Sequence, residues 1–176
     1  MKNIILISGK AESGKNLIGS ILQKHLSNTL ITAFGDYVKY VCQTYLGWNG
    51  VKDQKGRDFI QFWGTDIVRK ENYNFWALII SQLHFVLRNQ FDYFITPDTR
   101  FPNEIEEQKL AFGNKVLTLK VVRPNHISKL TEEQKNHISE TGLDNYEFDY
   151  TIINDGSIED LEKKVEIFIE RFIKDD

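Results

Sequence analysis

Cysteine, methionine and proline are scarce in this sequence of 176 residues, which contains one, one and three of them. The single cysteine, Cys42, can neither form a disulfide within the chain nor build a metal site alone. Long apolar runs are also lacking: none approaches the about 18 residues of a membrane-spanning helix, and the run near the start is too short for a signal sequence. We therefore expect a cytoplasmic protein that has no membrane partner and folds without disulfides.

The sequence also lacks an excess of one charge. Its 22 basic and 25 acidic residues give a formal net charge of −3, and no basic run is long enough to bind a nucleic acid polymer or an anionic membrane. Hydrophobic residues make up 41% and aromatic residues 12%, which is too much for a disordered chain. Because no Pro/Gly/Ser-rich linker divides the chain, we expect residues 1–176 to form one domain.

Short apolar runs alternate with helical patterns along the chain. The first run ends in glycine and precedes apolar residues at helical spacing, and Pro97 closes the third run. This alternation predicts an α/β fold of three layers, in which helices cover both faces of a mostly parallel five-stranded sheet. The predicted strands are residues 4–8, 30–34, 92–96, 116–122 and 150–153.

Two segments interrupt the alternation. Helices are predicted over residues 57–70 and 74–89, within a helical insertion at about 35–90. Residues 123–144 are polar, and Thr131-Glu-Glu-Gln134 has the pattern of a capping box at the start of a helix. We interpret this second segment as a short, mobile lid.

A glycine-rich loop follows the first predicted strand. Gly9, Gly14 and Lys15 match G-x-x-x-x-G-K, the Walker A pattern, between a strand and a helix as that pattern requires. Glycines let backbone N–H groups turn toward phosphates, and the lysine reaches the β- and γ-phosphoryl oxygens. A strand-to-helix turn without a ligand is the alternative. The predicted nucleotide-binding residues are Gly9, Lys10, Ala11, Glu12, Ser13, Gly14, Lys15 and Asn16.

The residue after the lysine departs from the pattern. A Ser or Thr hydroxyl usually binds Mg²⁺ there, and this chain has Asn16. Because Mg²⁺ keeps phosphate and water ligands, Asn16 or Ser13 can serve through a water or through the amide oxygen. Loss of activity is the other interpretation. The candidate metal residues are Asn16 and Asp98.

Four polar residues in the predicted helix over 57–70 lie four positions apart. On an α-helix they would form one ridge, because residues at i and i+4 share a face. Guanidinium groups suit a phosphate and an amide suits a base edge, whereas a solvated helix face is the alternative. The four residues are Arg57, Gln61, Thr65 and Arg69.

Charged residues also follow two predicted strands. Asp98 and Arg100 come after the third strand, at the edge where open α/β sheets bind ligands. Asp98 suits Mg²⁺ or its waters, and Arg100 suits the charge of phosphates. Asp36 and Lys39 follow the second strand. The alternatives are a surface Asp/Arg pair in a proline-bounded turn and an N-cap role for Asp36.

Four motifs are spread along the chain. They are the glycine-rich loop, G-R-x-F-I-Q-x-x-G-T-D-x-x-R from Gly56 to Arg69, D-T-R-F-P-N-E from Asp98 to Glu104, and H-I-S-E from His137 to Glu140. Together they resemble the phage and bacterial deoxynucleoside monophosphate kinases of the P-loop superfamily. The resemblance implies a P-loop NTPase fold, ATP and Mg²⁺ on the donor side, and a deoxynucleoside 5′-monophosphate as the acceptor.

The resemblance also implies roles for particular residues. Residues 35–90 would bind the acceptor, residues 123–144 would close over the phosphates, and the turn at Asn154 and Gly156 would hold the donor adenine. Catalysis would come from positioning and charge stabilisation by Lys15, Asp98, Arg100 and Arg123, without a protein nucleophile. The resemblance and the spacing of polar residues together predict the acceptor-binding residues, which are Asp36, Lys39, Arg57, Gln61, Thr65, Arg69, Arg100 and Glu140.

Rival interpretations stay open on the sequence alone. A kinase of dephospho-coenzyme A or phosphomevalonate would use the same site, and a nucleotide sensor without turnover would explain Asn16 more simply. The sequence leaves open the base, the sugar and whether the chain forms a homodimer.

Overall fold

The computed structural model describes residues 3–173. Among those residues, no helix is long and apolar enough to cross a bilayer. The strands are β1 (Ile4–Ser8), β2 (Thr29–Ile31), β3 (Tyr93–Thr99), β4 (Val116–Val122) and β5 (Tyr150–Ile153). The α-helices are α1 (Lys15–His25), α2 (Phe34–Tyr45), α3 (Gln54–Gln61), α4 (Val68–Glu71), α5 (Phe75–Leu87), α6 (Pro102–Phe112), α7 (Glu132–Asn136), α8 (Ile138–Thr141) and α9 (Ile158–Phe172).

The five strands form one sheet in the order β2-β3-β1-β4-β5, and the described pairings are parallel. Alternate residues of β1 point to opposite faces. Ile5 and Ile7 pack with α1 and α9, whereas Ile4 and Leu6 pack with Ile105 of α6. This three-layer arrangement confirms the predicted fold class. It also brings the carboxyl ends of β1, β3 and β4 to one edge of the sheet.

The third strand is longer than predicted. The prediction that Pro97 ends it is wrong, because β3 continues to Thr99. Leu6 pairs with Thr96 and Ser8 pairs with Thr99, so β3 contains one extra residue between these pairs. This bulge tolerates a proline, since its missing N–H is not needed in the ladder. Because of the bulge, β3 includes Asp98 and ends one residue before Arg100.

The helix predicted over residues 57–70 is interrupted by a π-helical turn, Phe62–Ile67, between α3 and α4. The indole N–H of Trp76 donates to the carbonyl oxygen of Gly64 at 2.8 Å. A β-carbon at Gly64 would lie 2.6 Å from Val38 Cγ1, so only glycine allows α2 to approach this closely. A π-helical turn holds one extra residue and therefore rotates the next helix, α4, by about 100°. The prediction of one regular α-helix over residues 57–70 is therefore wrong.

A fully buried histidine links the sheet to α5 and α6. His84 Nδ1 lies 3.1 Å from Gln108 Oε1, and Nε2 lies 2.8 Å from the Thr32 hydroxyl. With the amide oxygen as acceptor, Nδ1 carries the proton and Nε2 accepts from Thr32. Burial lowers the pKa of His84 to about 4, although the hydrogen bond to Gln108 raises it. The ring is therefore neutral in the folded protein.

We expect His84 to make the protein less stable as the pH falls from about 6.5 to 4. The unfolded chain binds a proton there in this range and the folded protein does not, so unfolding takes up a proton. The free energy of unfolding should fall by about 3 kcal/mol from this group alone. Urea titrations between pH 4 and 7 should show that His84→Gln removes this part of the slope. His25→Gln, at an exposed position on α1, is the control, and an equal slope in wild type and His84→Gln would contradict the prediction.

Candidate active site

The loop between β1 and α1, residues 9–16, is named the phosphate loop. Gly9 and Gly14 have φ angles of 153° and 103°, in the region that favours glycine. A β-carbon at Gly9 would lie 2.4 Å from the carbonyl oxygen of Val121, and one at Gly14 would lie 2.6 Å from Asn154 Nδ2. Both glycines are therefore required by the conformation and by the closeness of neighbouring backbone and side chains.

Asn154, which the sequence assigns to the donor-adenine turn, contacts the phosphate loop directly. Its Nδ2 donates to the carbonyl oxygen of Ser13 at 2.9 Å, and its N–H donates to that of Val122 at 2.7 Å. Asn154 thus connects the phosphate loop, through its side chain, to the end of β4, through its backbone. Gly156 is exposed two residues further on. Adenine binding by this turn stays a prediction.

Lys15 begins α1 and is 7% exposed. Its Nζ donates to the carbonyl oxygens of Gly9 and Lys10, both at 2.7 Å. The pKa of Lys15 is lowered to about 8, chiefly by burial and then by the charge of Arg100, while Glu140 and Asp98 act in the opposite direction. The ammonium group therefore lies in a buried neighbourhood of several charges, where an added anion would stabilise its proton.

The carboxylate of Glu140 occupies the mouth of the phosphate loop. Its Oε2 accepts from the N–H of Ala11 at 2.9 Å, and its Oε1 accepts from the guanidinium of Arg100. Lys10 Nζ donates to the carbonyl oxygen of Glu140 at 2.8 Å, and Arg100 donates to that of Ser139 at 2.9 Å. An anion from the chain itself is thus bound by one loop N–H and one arginine. This geometry is that of an anion site.

Further contacts hold the lid segment over the site. Gln61 Nε2 donates to Ser139 Oγ at 3.2 Å, and Gln134 Nε2 donates to Asp58 Oδ1 at 2.7 Å. His126 Nε2 lies 2.8 Å from a carboxylate oxygen of Glu12 in the phosphate loop. The capping box predicted at Thr131 is confirmed at the start of α7. The segment therefore bridges α3 and the phosphate loop.

A cavity of about 640 Å³ lies between the phosphate loop, the ends of β3 and β4, and the lid segment. Predicted site residues on its walls include Arg100, Arg123 and Glu140. Arg123 also donates to the carbonyl oxygen of Glu12 at 3.3 Å. Ser13 Oγ, on the same wall, is buried without a hydrogen-bond partner among residues 3–173, so the loop has a free polar group for a ligand.

Asp98 lies at the bulge of β3 and faces the start of α2. Its Oδ1 accepts from the N–H of Phe34 at 2.9 Å and its Oδ2 from that of Gly35 at 2.8 Å. Burial raises the pKa of Asp98, against these donors, which lower it. Asn16 is exposed on α1. No group of three or more His, Cys, Asp or Glu residues within the described part of the chain is arranged to hold a metal ion.

The predicted acceptor residues lie on either side of the π-helical turn and within it. Arg57 and Gln61 lie on α3, and Gln61 contacts the lid segment. Thr65 lies in the π-helical turn, and Arg69 lies on α4 in a buried ion pair with Glu104. Thr65 and Arg69 line a second cavity of about 590 Å³ with Tyr73 and Phe101. Binding of the acceptor by these four residues stays a prediction.

The remaining predicted pair, Asp36 and Lys39, lies in the first turns of α2 and forms an ion pair. Ala33, not Asp36, is the N-cap residue of that helix. Lys52 was missed by the sequence analysis. Burial lowers the pKa of Lys52, and so do the nearby charges of Lys39 and Arg57. It comes from a loop without periodicity, which gave no signal of this proximity. Lys120 of β4 and Lys135 of α7, on the cavity wall, were also not among the predicted site residues.

The fold and this site define the class of the protein. A parallel sheet in this strand order, with a glycine loop and a buried lysine between β1 and α1, is the P-loop fold shared by small-molecule kinases. The structure of a sugar kinase from Janibacter sp. HTCC2649 matches it with a TM-score of 0.57, over 97% of this chain and 95% of that chain, at 11% sequence identity. At this identity the match concerns the fold alone.

The chain belongs to the deoxynucleotide monophosphate kinase family, whose model matches residues 44–165. The deoxynucleotide monophosphate kinase of Enterobacteria phage T4 is 36% identical over 120 residues, which cover 66% of this chain and 46% of the relative. The phosphomevalonate kinase of Drosophila melanogaster is 28% identical and covers 97% of both chains. This chain spans about half the length of the phage relatives it matches. The phosphate loop precedes the matched segment, so its assignment depends on geometry.

We expect Glu140→Gln to bind inorganic tripolyphosphate roughly tenfold more tightly than wild type, because the carboxylate competes for a charge-assisted hydrogen-bonding position. Isothermal titration calorimetry measures this directly. Glu133→Gln removes the same charge from an exposed position on α7 and should leave the affinity nearly unchanged. Unchanged or weaker binding in Glu140→Gln would show that the carboxylate does not occupy the phosphate position.

Proposed function

We propose that the protein transfers the terminal phosphoryl group of ATP to a (deoxy)nucleoside 5′-monophosphate, which yields the diphosphate and ADP. The observation that carries this proposal is the anion bound by the phosphate loop. The Ala11 N–H and Arg100 bind the Glu140 carboxylate at the edge of the sheet, and Lys15 is close enough to interact with it electrostatically. Family membership supplies the class of acceptor. In this proposal the phosphates of ATP replace the carboxylate.

The donor side would be held by the phosphate loop. Its N–H groups and the start of α1 favour negative charge, and Lys15 would turn from the loop carbonyls to the β- and γ-phosphoryl oxygens. The buried hydroxyl of Ser13 is a further candidate donor. Arg100 would exchange Glu140 for the transferring group, where its charge stabilises the transition state.

The acceptor side would be formed by residues 35–90. Two anions must meet for the reaction, and their repulsion is offset by cations that face the same space. Lys39, Arg57 and Arg100 each lie close enough to Lys52 to lower its pKa electrostatically. Because a monophosphate dianion is already a nucleophile, positioning is sufficient and a protein base is not needed.

The lid segment, residues 123–144, would close over both substrates. Its contacts with α3 and the phosphate loop bring it over the cavity, and Arg123 adds a cation at its base. Exclusion of water would suppress hydrolysis of ATP when no acceptor is bound. We also propose that Asn154 and Gly156 lie beside the donor adenine, since Asn154 already contacts the phosphate loop.

The residues present fit a Mg²⁺ ion that is held chiefly by phosphate oxygens and water. Both oxygens of Asp98 accept backbone N–H groups, yet each has a further lone pair for a metal-bound water. Asn16 is exposed at the start of α1 and offers an amide oxygen. When bound, the ion would neutralise charge that develops on the phosphates.

A second candidate acceptor is another small phosphate monoester, such as phosphomevalonate. The relative from Drosophila melanogaster, named phosphomevalonate kinase, matches almost the whole chain, including the phosphate loop. Phosphomevalonate differs from a nucleotide in lacking a base. Dephospho-coenzyme A contains adenine, but it accepts the phosphoryl group on a ribose hydroxyl rather than on a phosphate. Acceptor preference therefore decides between them.

We expect ADP release to depend on the acceptor in a coupled assay with ATP and Mg²⁺. The panel contains the four deoxynucleoside monophosphates, their ribose counterparts, phosphomevalonate and dephospho-coenzyme A. Lys15→Ala and Arg100→Ala should each lower kcat/KM by on the order of a hundredfold or more, since each removes charge stabilisation from the transition state. Lys24→Ala, at an exposed position on α1, is the control. Saturable ATP binding without any acceptor-dependent turnover would favour a nucleotide sensor instead.

ATP affinity should weaken as the pH rises above about 8. Because burial holds the pKa of free Lys15 at about 8, and a bound anion raises it, the complex keeps a proton that the free protein loses. The dissociation constant should then rise by up to about tenfold per pH unit. Lys15→Arg should remove this dependence, because a guanidinium stays protonated, whereas Lys24→Arg should retain it. An equal slope in Lys15→Arg would assign the titration to another group.

A further inference from the structure

A buried ion pair joins α4 to the turn that carries Arg100. Arg69 is 7% exposed and Glu104 is 1% exposed, and a guanidinium nitrogen of Arg69 donates to Oε1 of Glu104. The guanidinium also donates to Asn103 Oδ1 at 3.3 Å, and it lies 3.9 Å from the centre of the Phe101 ring. Inside the protein, the charge of Arg69 is therefore paired with Glu104, and its planar guanidinium packs on the ring of Phe101.

The second carboxylate oxygen of Glu104 holds backbone. Oε2 accepts from the N–H of Arg100 at 2.7 Å and from that of Phe101 at 3.1 Å. These bonds form part of the cap at the start of α6. One carboxylate thus connects the guanidinium of Arg69 to the main chain of Arg100. Any movement of the ion pair is transmitted to the residue that faces the phosphate loop.

The side chain of Arg100 extends the other way, into the site. It reaches the carbonyl oxygen of Ser139 at 2.9 Å and pairs with Glu140, which itself binds the phosphate loop. A cation that must meet a transferring phosphoryl group needs an accurate position, and a misplacement of about 1 Å can cost on the order of a hundredfold in rate. A buried ion pair is a weak source of stability but a specific anchor.

We propose that Arg69 and Glu104 are positioning residues that fix the backbone of Arg100, and that Arg69 does not itself bind the acceptor. The inference rests on the proposed phosphoryl transfer for its kinetic consequence. The structural step, that the ion pair orders the Arg100 backbone, is independent of that function. The two parts are therefore tested separately.

The kinetic test compares kcat and acceptor KM of wild type, Arg69→Met, Glu104→Gln and Arg100→Ala. A positioning role lowers kcat by roughly 10- to 100-fold in Arg69→Met and leaves the acceptor KM within about threefold, because only the transition state loses stabilisation. The double variant Arg69→Met with Arg100→Ala should be no slower than Arg100→Ala alone. If Arg69→Met instead raised the acceptor KM and left kcat unchanged, and if its effect added to that of Arg100→Ala, Arg69 would bind the acceptor directly.

A matched control and a second replacement separate positioning from loss of the fold. Arg88, the C-cap residue of α5, also stacks on an aromatic ring, at 4.0 Å from the centre of Phe85, and Arg88→Met should leave the kinetics unchanged. Arg69→Met leaves the charge of Glu104 buried and unpaired, and this can lower the melting temperature severely. In that case the double variant Arg69→Met/Glu104→Leu should restore the melting temperature, because the double variant has no unpaired buried charge. Its kcat should stay low, since the carboxylate that holds Arg100 is gone. Recovery of kcat along with the melting temperature would overturn the proposal.

The structural step is tested without substrates by amide hydrogen exchange, followed by NMR. The N–H groups of Arg100 and Phe101 should exchange faster in Arg69→Met than in wild type, while strand N–H groups keep their protection. Unchanged protection would overturn the positioning role whatever the kinetics show. Faster exchange in a protein whose wild type has no turnover would support the structural step and reject only the proposed function.

Discussion

A binding site for anions must place cations where water cannot fully solvate them, and this constraint organises the structure. Lys15 is nearly inaccessible, and its charge is opposed by Arg100 and offset by Glu140 and Asp98. Burial of unpaired cations is costly, so the chain supplies its own anion to the phosphate loop. The segment 123–144, which contains Glu140, therefore contributes to the electrostatic balance of the site.

Local features of the sequence predict much of the fold. Strands β4 and β5 begin and end where apolar runs predict, and the α7 cap follows from four adjacent residues. Features set by distant contacts could not be predicted this way. The strand continues through Pro97 because β1 pairs around a bulge, and the helix opens at Gly64 because Trp76 and Val38 pack there.

The same distinction between local patterns and distant contacts applies to the candidate site. Gly9, Gly14 and Lys15 were identifiable because the phosphate loop is contiguous and its backbone demands glycine. The contact between Ala11 and Glu140 spans 129 positions in the sequence, and no local pattern specifies it. Arg69 was predicted to bind the acceptor from its spacing on an ideal α-helix. Its contact with Glu104 spans 35 positions, and no local pattern specifies it.

The π-helical turn determines how its segment would respond to a change in length. Because the turn accommodates one extra residue, deleting one residue from Phe62–Ile67 would restore regular α-helical geometry and leave Arg69 facing Glu104. If the segment kept its length and became a regular α-helix, Arg69 would instead rotate by about 100°, away from Glu104. A related sequence with a gap of a single position in this turn would therefore keep the geometry of this ion pair.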